Sequence, residues 1–319
     1  MVKVNGVTLC ERLLRQLDSR NLSRIVIVVG YKAKELIDYI KTLKIQTPIK
    51  FIENNIYDKT NNIYSLSLAD KELQEEDTLL FESDLIFEDA IIDDLINDPR
   101  PTLALLDKYE AWMDGTVFIL DDEDHIKQFI PGKEVRYQRV NQFYKTVNVY
   151  KFSKEFSKEK YIPALKAYMI SKGVNEYYEQ VLKVIIEVSN DAIVAKRIEN
   201  NHLWYEIDDI QDLDIASSMF DNPEDKLVKY EERYGGYWRY PHMLDYCYLV
   251  NPFYPTSRMM YEMEANFRKL LTQYPSGMKV NSLLAAKNFG VKQDYIVVGN
   301  GAAELIKSIM SKLEAPFGY

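Results

Sequence analysis

Two apolar periods alternate over the first eighty residues, and few folds accommodate that alternation. Leu9, Leu13, Leu14 and Leu17 recur at helical spacing, and Ser23-Arg-Ile-Val-Ile-Val-Val-Gly30 then reads as a fully buried strand. The pattern repeats with a helix over 33–43, a strand at Ile49–Ile52, a helix across Asn62–Leu73 and a strand at Thr78–Phe81. A strand apolar on both faces needs cover on both faces, so the expectation is an α/β fold with a doubly wound sheet. A β-rich stretch follows at Thr102–Leu106, Thr116–Leu120, His125–Ile130 and Tyr144–Phe152. Helices at Ser153–Met169 and Glu176–Glu187 and strands at Ile193–Ile198 and His202–Tyr205 complete residues 1–220 as one α/β domain.

Asp221-Asn-Pro-Glu-Asp-Lys226 breaks the rhythm with polar and turn-forming residues, which predicts a boundary between 220 and 240 and a linker over 221–241. A second segment, 242–319, carries helical patterns at Ser257–Leu271 and Val280–Lys287, a buried strand at Asp294–Val298, and a helix opened by Gly299-Asn-Gly-Ala302. A length of 319 residues suits two domains, or one domain and a fragment. No apolar run approaches the roughly 20 residues that span a bilayer, and Met1–Gly6 has no signal-peptide pattern, so a cytoplasmic protein is expected. Forty basic against 49 acidic residues, net −9, argue against neutralising nucleic-acid phosphates as the main task. Two cysteines, Cys10 and Cys247, indicate neither a disulfide framework nor a zinc cluster. The 24 tyrosines fit either packing at domain contacts or aromatic walls around a small ligand.

Chemistry enters at strand ends. Thr78-Leu-Leu-Phe-Glu-Ser-Asp84 puts an acid at the carboxyl end of a buried strand, the edge where open α/β sheets bind ligands. Asp208, in Trp204-Tyr-Glu-Ile-Asp208, follows another short strand and starts a helix, so it serves either as an N-cap or as a ligand. Two carboxylates converging from separate strand ends would hold a magnesium ion against a triphosphate, because magnesium takes hard oxygen donors.

Taken together, Leu9–Tyr31, Asn61-Asn-Ile-Tyr-Ser-Leu66, Glu82-Ser-Asp84 and Tyr205-Glu-Ile-Asp208 resemble the nucleotidyltransferases, nearest to phosphocholine and aminoalkylphosphonate cytidylyltransferases, over roughly 1–218. The resemblance implies a Rossmann-like domain with a mixed sheet, Mg2+ as cofactor, and a nucleoside triphosphate (CTP) and a small phosphorylated amine as partners. It implies metal ligation by Asp84 and Asp208, and it puts Asn61, Asn62 and Ser65 near the nucleotide, although Asn61 is an equally good helix cap. Lys145 and Asn148 fall where relatives handle the acceptor, or else are an exposed strand lysine and a turn-side amide. Trp112, Tyr177, Tyr178 and Glu179 resemble the aromatic and acidic lining of an amine pocket, or are ordinary surface and core positions. A sugar-1-phosphate nucleotidyltransferase and an inactive fragment are the alternatives. The family's glycine-rich loop would precede Met1, so the expectation is an N-terminally truncated domain lacking a first core strand, with neighbouring strand edges left open.

Tyr248-Leu-Val-Asn-Pro-Phe-Tyr-Pro255, Tyr274-Pro275 and Val298-Gly-Asn-Gly-Ala-Ala-Glu-Leu-Ile306 resemble the start of fold-type I aminotransferases related to histidinol-phosphate aminotransferase. This implies a partial α/β segment of a bifunctional parent that is a homodimer, with pyridoxal phosphate bound only in that parent. Gly301, Ala302 and Ala303 would meet the cofactor phosphate at a helix start, and Tyr274 would reach a partner's cofactor. No Schiff-base lysine is expected before Tyr319, and 242–319 is expected to be poorly supported by packing.

Overall fold

A computed structural model describes residues 1–313 except 111, 190–191, 200–201, 234, 241–242, 247–249 and 252. Cys247 and the positions 248, 249 and 252 of the aminotransferase-like run lie outside the described residues. The chain divides into two compact units, 1–245 and 246–319.

The first unit opens with a hairpin of β1 (Lys3–Val4) and β2 (Val7–Thr8). Asn5 and Gly6 between them take φ of 49° and 83°, the left-handed pair that a two-residue hairpin turn demands. The Thr8 hydroxyl accepts the Glu11 N–H at 3.0 Å, capping a helix, Leu9–Asp18, that buries Leu9, Leu14 and Leu17. β3 (Ile25–Val29) and β4 (Ile49–Glu53) run parallel, joined through helix Ala33–Thr42.

β5 (Thr78–Phe81), β6 (Leu85–Phe87), β7 (Leu103–Lys108), β8 (Val117–Leu120), β9 (Ile126–Ile130), β10 (Phe143–Phe152), β11 (Val194–Arg197) and β12 (Trp204–Glu206) follow. A six-stranded sheet has the order β11-β7-β10-β8-β9, with β5 also on β10; only its β11–β7 contact is parallel. The sheet is therefore mixed, and the parallel pairing expected from the early alternation is found in β3–β4 and again in β11–β7. Among the described residues β3 pairs with β4 alone and β5 with β10 alone. Ile25, Ile27, Leu79 and Phe81 nevertheless enter one apolar cluster, so the two strands share a core without sharing a ladder.

Three helix expectations change, each for a local reason. Asn62–Leu73 is two helices, Asn62–Ser67 and Asp70–Glu75, because the Leu68 N–H is shared between Tyr64 and Ser65 and the Ala69 N–H turns back to Leu66 in a tighter bond. Ser153–Met169 becomes Lys154–Phe156, a π turn at Ser157–Tyr161 and Ile162–Lys172; Phe152, Phe156 and Tyr161 pack there with ring centroids 5.0–6.1 Å apart. The helix expected from Glu176 starts at Glu179. The carbonyls of Val174 and Glu176 instead receive the N–H groups of Asn61 and Ile63, and Asn62 Oδ1 accepts the Tyr178 N–H at 2.9 Å.

Among its described residues the stretch expected as a linker carries a helix. Asn222 Oδ1 accepts the Asp225 N–H at 3.0 Å and opens helix Pro223–Arg233, so the polar and proline residues are a helix start. Lys229 reaches back to Asn5 and Ser217, and Tyr240 is buried with its ring 4.6 Å from Tyr230.

The second unit holds helices Ser257–Thr272, Met278–Phe289 and Ala302–Met310. Ala286 is the one buried hydrophobic residue among its described positions, and Phe267, Leu283 and Ile309 are more than half exposed. The strand expected at Asp294–Val298 does not form: a 3-10 turn at Gln293–Tyr295 stands there, with Val297 74% exposed. A buried strand needs neighbours on both edges, and no strand lies among this unit's described residues. Helices this short gain most of their stability from packing. Amide protons of 257–310 should accordingly exchange about 100-fold or more faster than those of β7 and β10. Hydrogen exchange read by mass spectrometry checks this; equal protection in the two units would contradict it.

Candidate functional site

The site forms where three chain segments meet at strand ends. β6 and β12 pair antiparallel with Leu85 opposite Glu206, and the Ile207 N–H donates to the Asp84 carbonyl at 3.0 Å. Asp84 and Asp208 thus flank one backbone hydrogen bond. The N-cap role open to Asp208 is taken by Asp209, whose Oδ1 accepts the N–H groups of Gln211 and Asp212 at 2.7 and 3.0 Å. Asp212 answers from the other side, its Oδ2 accepting the N–H groups of Asp208 and Asp209 at 3.2 Å each. The exposed carboxylate of Asp208 is left for other work, lining a cleft with Trp112, Met113, Asp114, Lys145, Trp204, Glu206 and Asp212.

Glu206 is the hub. Lys145 Nζ donates to its Oε2 at 2.9 Å and Asn148 Nδ2 to its Oε1 at 2.8 Å. Three residues apart on a regular strand, Lys145 and Asn148 would face opposite ways. A bulge reconciles them: between Thr146 and Tyr150 β10 takes four steps to two on β7, and Asn148 sits at φ 58° with its N–H held by Thr146 Oγ1 at 3.0 Å. Lys145 is buried and also donates to the Thr146 carbonyl at 3.0 Å. The end of its side chain lies 3.7 Å from where a Cβ on Gly115 would stand, a glycine whose φ of 89° suits no other residue.

Glu82 and Glu179 add two further carboxyls to this cluster. Glu82, Asp84 and Glu206 each offer an oxygen within 4.8 Å of the others, and Glu82 Oε1 and Asp84 Oδ1 are buried without a hydrogen-bond partner. These hard oxygens fit a divalent cation such as Mg2+. Burial above all, then the charges of Glu179 and Asp84, pushes the Glu82 carboxyl up to about 8. Asp84 is raised by burial and by Glu206 and Asp208; Asp208 by burial and by Glu206 and Asp212. Burial also raises Glu179, with Lys145 opposing.

The remaining expected residues separate. Trp112 stacks on Tyr205 at 4.5 Å between ring centroids and lines the cleft. Tyr178 is buried against Tyr150, while Tyr177 is 57% exposed and forms no part of a described wall. Asn61 caps helix Asn62–Ser67, Asn62 holds the Tyr178 N–H, and Ser65 Oγ accepts from Asn54 Nδ2 at 3.1 Å, so all three already have structural partners. In the second unit Gly301, at φ 91°, opens helix Ala302–Met310 with Ala302 and Ala303 in its first turn; the Glu304 carboxylate accepts the Asn300 N–H there. Tyr274 is fully exposed. Sequence reasoning passed over Glu82 and Glu206. Glu206 was within reach of a simple rule, since it lies two residues before Asp208 in an extended segment and so on the same face.

The architecture is an α/β fold with a Rossmann-like mixed sheet, the fold of solved nucleotidyltransferases. The chain superposes on the CTP:phosphocholine cytidylyltransferase of Streptococcus pneumoniae with a TM-score of 0.56 and 23% identity, over 69% of this chain and 88% of that one. In sequence it is similar to cytidylyltransferases. It is 26% identical over 318 residues to the CMP-5'-(3-aminopropyl)phosphonate synthase of Streptomyces rubellomurinus, covering 98% of this chain and 49% of that protein. It is also 30% identical over 146 residues to the 2-aminoethylphosphonate cytidylyltransferase of Lancefieldella rimae, covering 45% of this chain and 56% of that protein. The chain therefore spans about half the length of these relatives. No family model matches it. No helix among the described residues is long and apolar enough to cross a membrane.

A proton on Glu82 has a measurable consequence. Its carboxyl is raised in the folded state, so between about 4.5 and about 8 the folded chain keeps a proton that the unfolded chain releases, and stability falls as pH rises through that window. The contribution is on the order of 3 kcal/mol. Urea midpoints at pH 5 and pH 8, without divalent ions, should fall in the wild type and fall less in Glu82→Gln; parallel losses would show that Glu82 is not the source.

Proposed function

We propose that residues 1–245 transfer CMP from CTP to a small acceptor carrying both a phosphate or phosphonate and an amine. The observation that carries this is the grouping of Glu82, Asp84 and Glu206 oxygens within 4.8 Å of one another at the β6–β12 pair, with Asp208 freed from helix capping two residues beyond Glu206. The names of the two curated relatives, both concerned with aminoalkylphosphonates, support the choice of acceptor.

In this reading an acceptor oxygen attacks the α-phosphorus of CTP and pyrophosphate leaves. Asp84 and Asp208, with Glu82 and Glu206, would hold Mg2+, whose charge would let two anions approach. The protein's own part is alignment and charge. Lys145 brings a fixed cation to the cluster, locked by Glu206 and the Thr146 carbonyl so that no reorganisation accompanies the reaction. Asn148 fixes Glu206 from its other oxygen and keeps its own Oδ1, buried and unpartnered, for the acceptor. Asn61, Asn62 and Ser65, at and within the short helix Asn62–Ser67, would approach the nucleotide, and Trp112 lines the cleft.

Asp84→Asn and Asp208→Asn should each lower pyrophosphate release by about 100-fold or more while leaving the circular dichroism spectrum unchanged. Across a panel of acceptors, phosphoethanolamine, 2-aminoethylphosphonate or phosphocholine should turn over faster with CTP than any hexose 1-phosphate. The reverse order favours a sugar-1-phosphate nucleotidyltransferase, and preference for UTP removes the cytidine assignment.

For 246–319 we propose the opening part of a pyridoxal-phosphate aminotransferase of a homodimeric parent, supported by the glycine turn at Gly299–Gly301 entering a helix and by apolar helix faces left uncovered. Gly301, Ala302 and Ala303 would offer N–H groups to the cofactor phosphate. Pyridoxal phosphate added to this chain and treated with borohydride should leave no stoichiometric lysine adduct. A site-specific adduct would place the aminotransferase lysine within these residues.

A further inference from the structure

Val147 and Asn148 have no partner residue in the registers that join β10 to β5, β7 and β8. Asn148 is buried, so its N–H needs an acceptor from outside the ladder, and Thr146 Oγ1 supplies one at 3.0 Å. The hydroxyls of Thr146 and Tyr150, both buried, share a further hydrogen bond of 3.1 Å. On its other side Thr146 offers its carbonyl to Lys145 Nζ at 3.0 Å. One residue therefore touches both arms of the clamp on Glu206: Lys145, which donates to Oε2, and Asn148, which donates to Oε1. Thr146 is 2% exposed, so it acts on a ligand only through these neighbours.

We propose that Thr146 is a positioning residue for the carboxylate cluster. Its hydroxyl, backed by Tyr150, holds Asn148 in the left-handed conformation from which the amide reaches Glu206, and so fixes where the Glu206 carboxylate stands beside Glu82 and Asp84. Threonine suits the task because its branched Cβ restricts χ1 and aims the hydroxyl. Without that hydroxyl the Asn148 N–H is buried and bare, the backbone loses its hold at φ 58°, and Glu206 keeps one anchor of two. The value of this arrangement to catalysis rests on the function proposed above; the positioning of Glu206 rests on the hydrogen bonds alone.

The test is a double-mutant cycle on the full chain, read by the affinity for Mn2+ alone, which takes the same hard oxygens as Mg2+ and has an electron paramagnetic resonance signal. Thr146→Val keeps the side-chain shape and removes the hydroxyl; it should weaken Mn2+ binding about 10-fold, and Thr146→Ser should recover most of that loss. Asn148→Gly accepts φ 58° without strain but lacks the amide, and it should weaken binding by a similar factor. Because Thr146 acts through Asn148, the double variant should bind within about 2-fold of Asn148→Gly. Losses that multiply in the double variant, or wild-type affinity in Thr146→Val, overturn the assignment, as does a Thr146→Ser variant as weak as Thr146→Val. Should Thr146→Val not fold, Tyr150→Phe carries the test: a several-fold loss that disappears in the Asn148→Gly background is expected, and unchanged Mn2+ affinity overturns the assignment. Pyrophosphate release from CTP with the acceptor panel is measured alongside. If the cycle is non-additive and the wild type releases none, the positioning role stands and the transferase reading falls; if the wild type releases pyrophosphate and the cycle is additive, the positioning role alone fails.

Discussion

The ion pair between Lys145 and Glu206 is the contact on which the site depends. It joins β10 to β12, and Asn148 completes it from the same strand only because a left-handed residue breaks the regular alternation of side chains. A non-glycine residue at positive φ has a cost, and it is held here by the Thr146 hydroxyl and by β7 running alongside. Backbone strain, a buried lysine and a doubly bonded glutamate meet at one place. The fold invests stability there that a purely apolar arrangement would not require.

Around that pair the charges do not balance. Glu82, Asp84, Glu179 and Asp208 surround Glu206 and Lys145, and the carboxyls of all four are raised, with burial the first cause in each. An unliganded cluster of this kind opposes its own ionisation. A cation held there would meet a site already under electrostatic tension, and its affinity would be coupled to folding stability through the same oxygens. The cleft side, with Trp112, Asp114 and Asp208, and the buried side, with Glu82, Tyr178 and Glu179, meet at Lys145 and Glu206.

The two units show opposite consequences of burial. In the first, β7 and β10 are covered on both faces, and helix Glu179–Val188 buries Val181, Leu182, Ile185 and Ile186 against the sheet. Each such side chain contributes roughly 1.5–3 kcal/mol. In the second, comparable apolar sequence buries almost nothing, and the segment with the strongest strand pattern stays irregular. Pattern alone does not make a strand when no partner edge is supplied.

The sequence by itself determined the element types of the first unit and the strand-end acids Asp84 and Asp208, because apolar period and chain polarity are local properties that survive in one dimension. It also carried the resemblance to cytidylyltransferases. Only the tertiary structure decided which acid caps the helix and which stays free, that Glu206 and Glu82 belong with Asp84, that Tyr177 faces solvent while Tyr178 is buried, and that helix Pro223–Arg233 belongs to the first unit. Adjacent aspartates and adjacent tyrosines are chemically alike in sequence. A bulge in β10, a hydrogen bond from Ile207 to Asp84 and a helix start set by Asn62 assign them different environments, and each of these joins residues far apart along the chain.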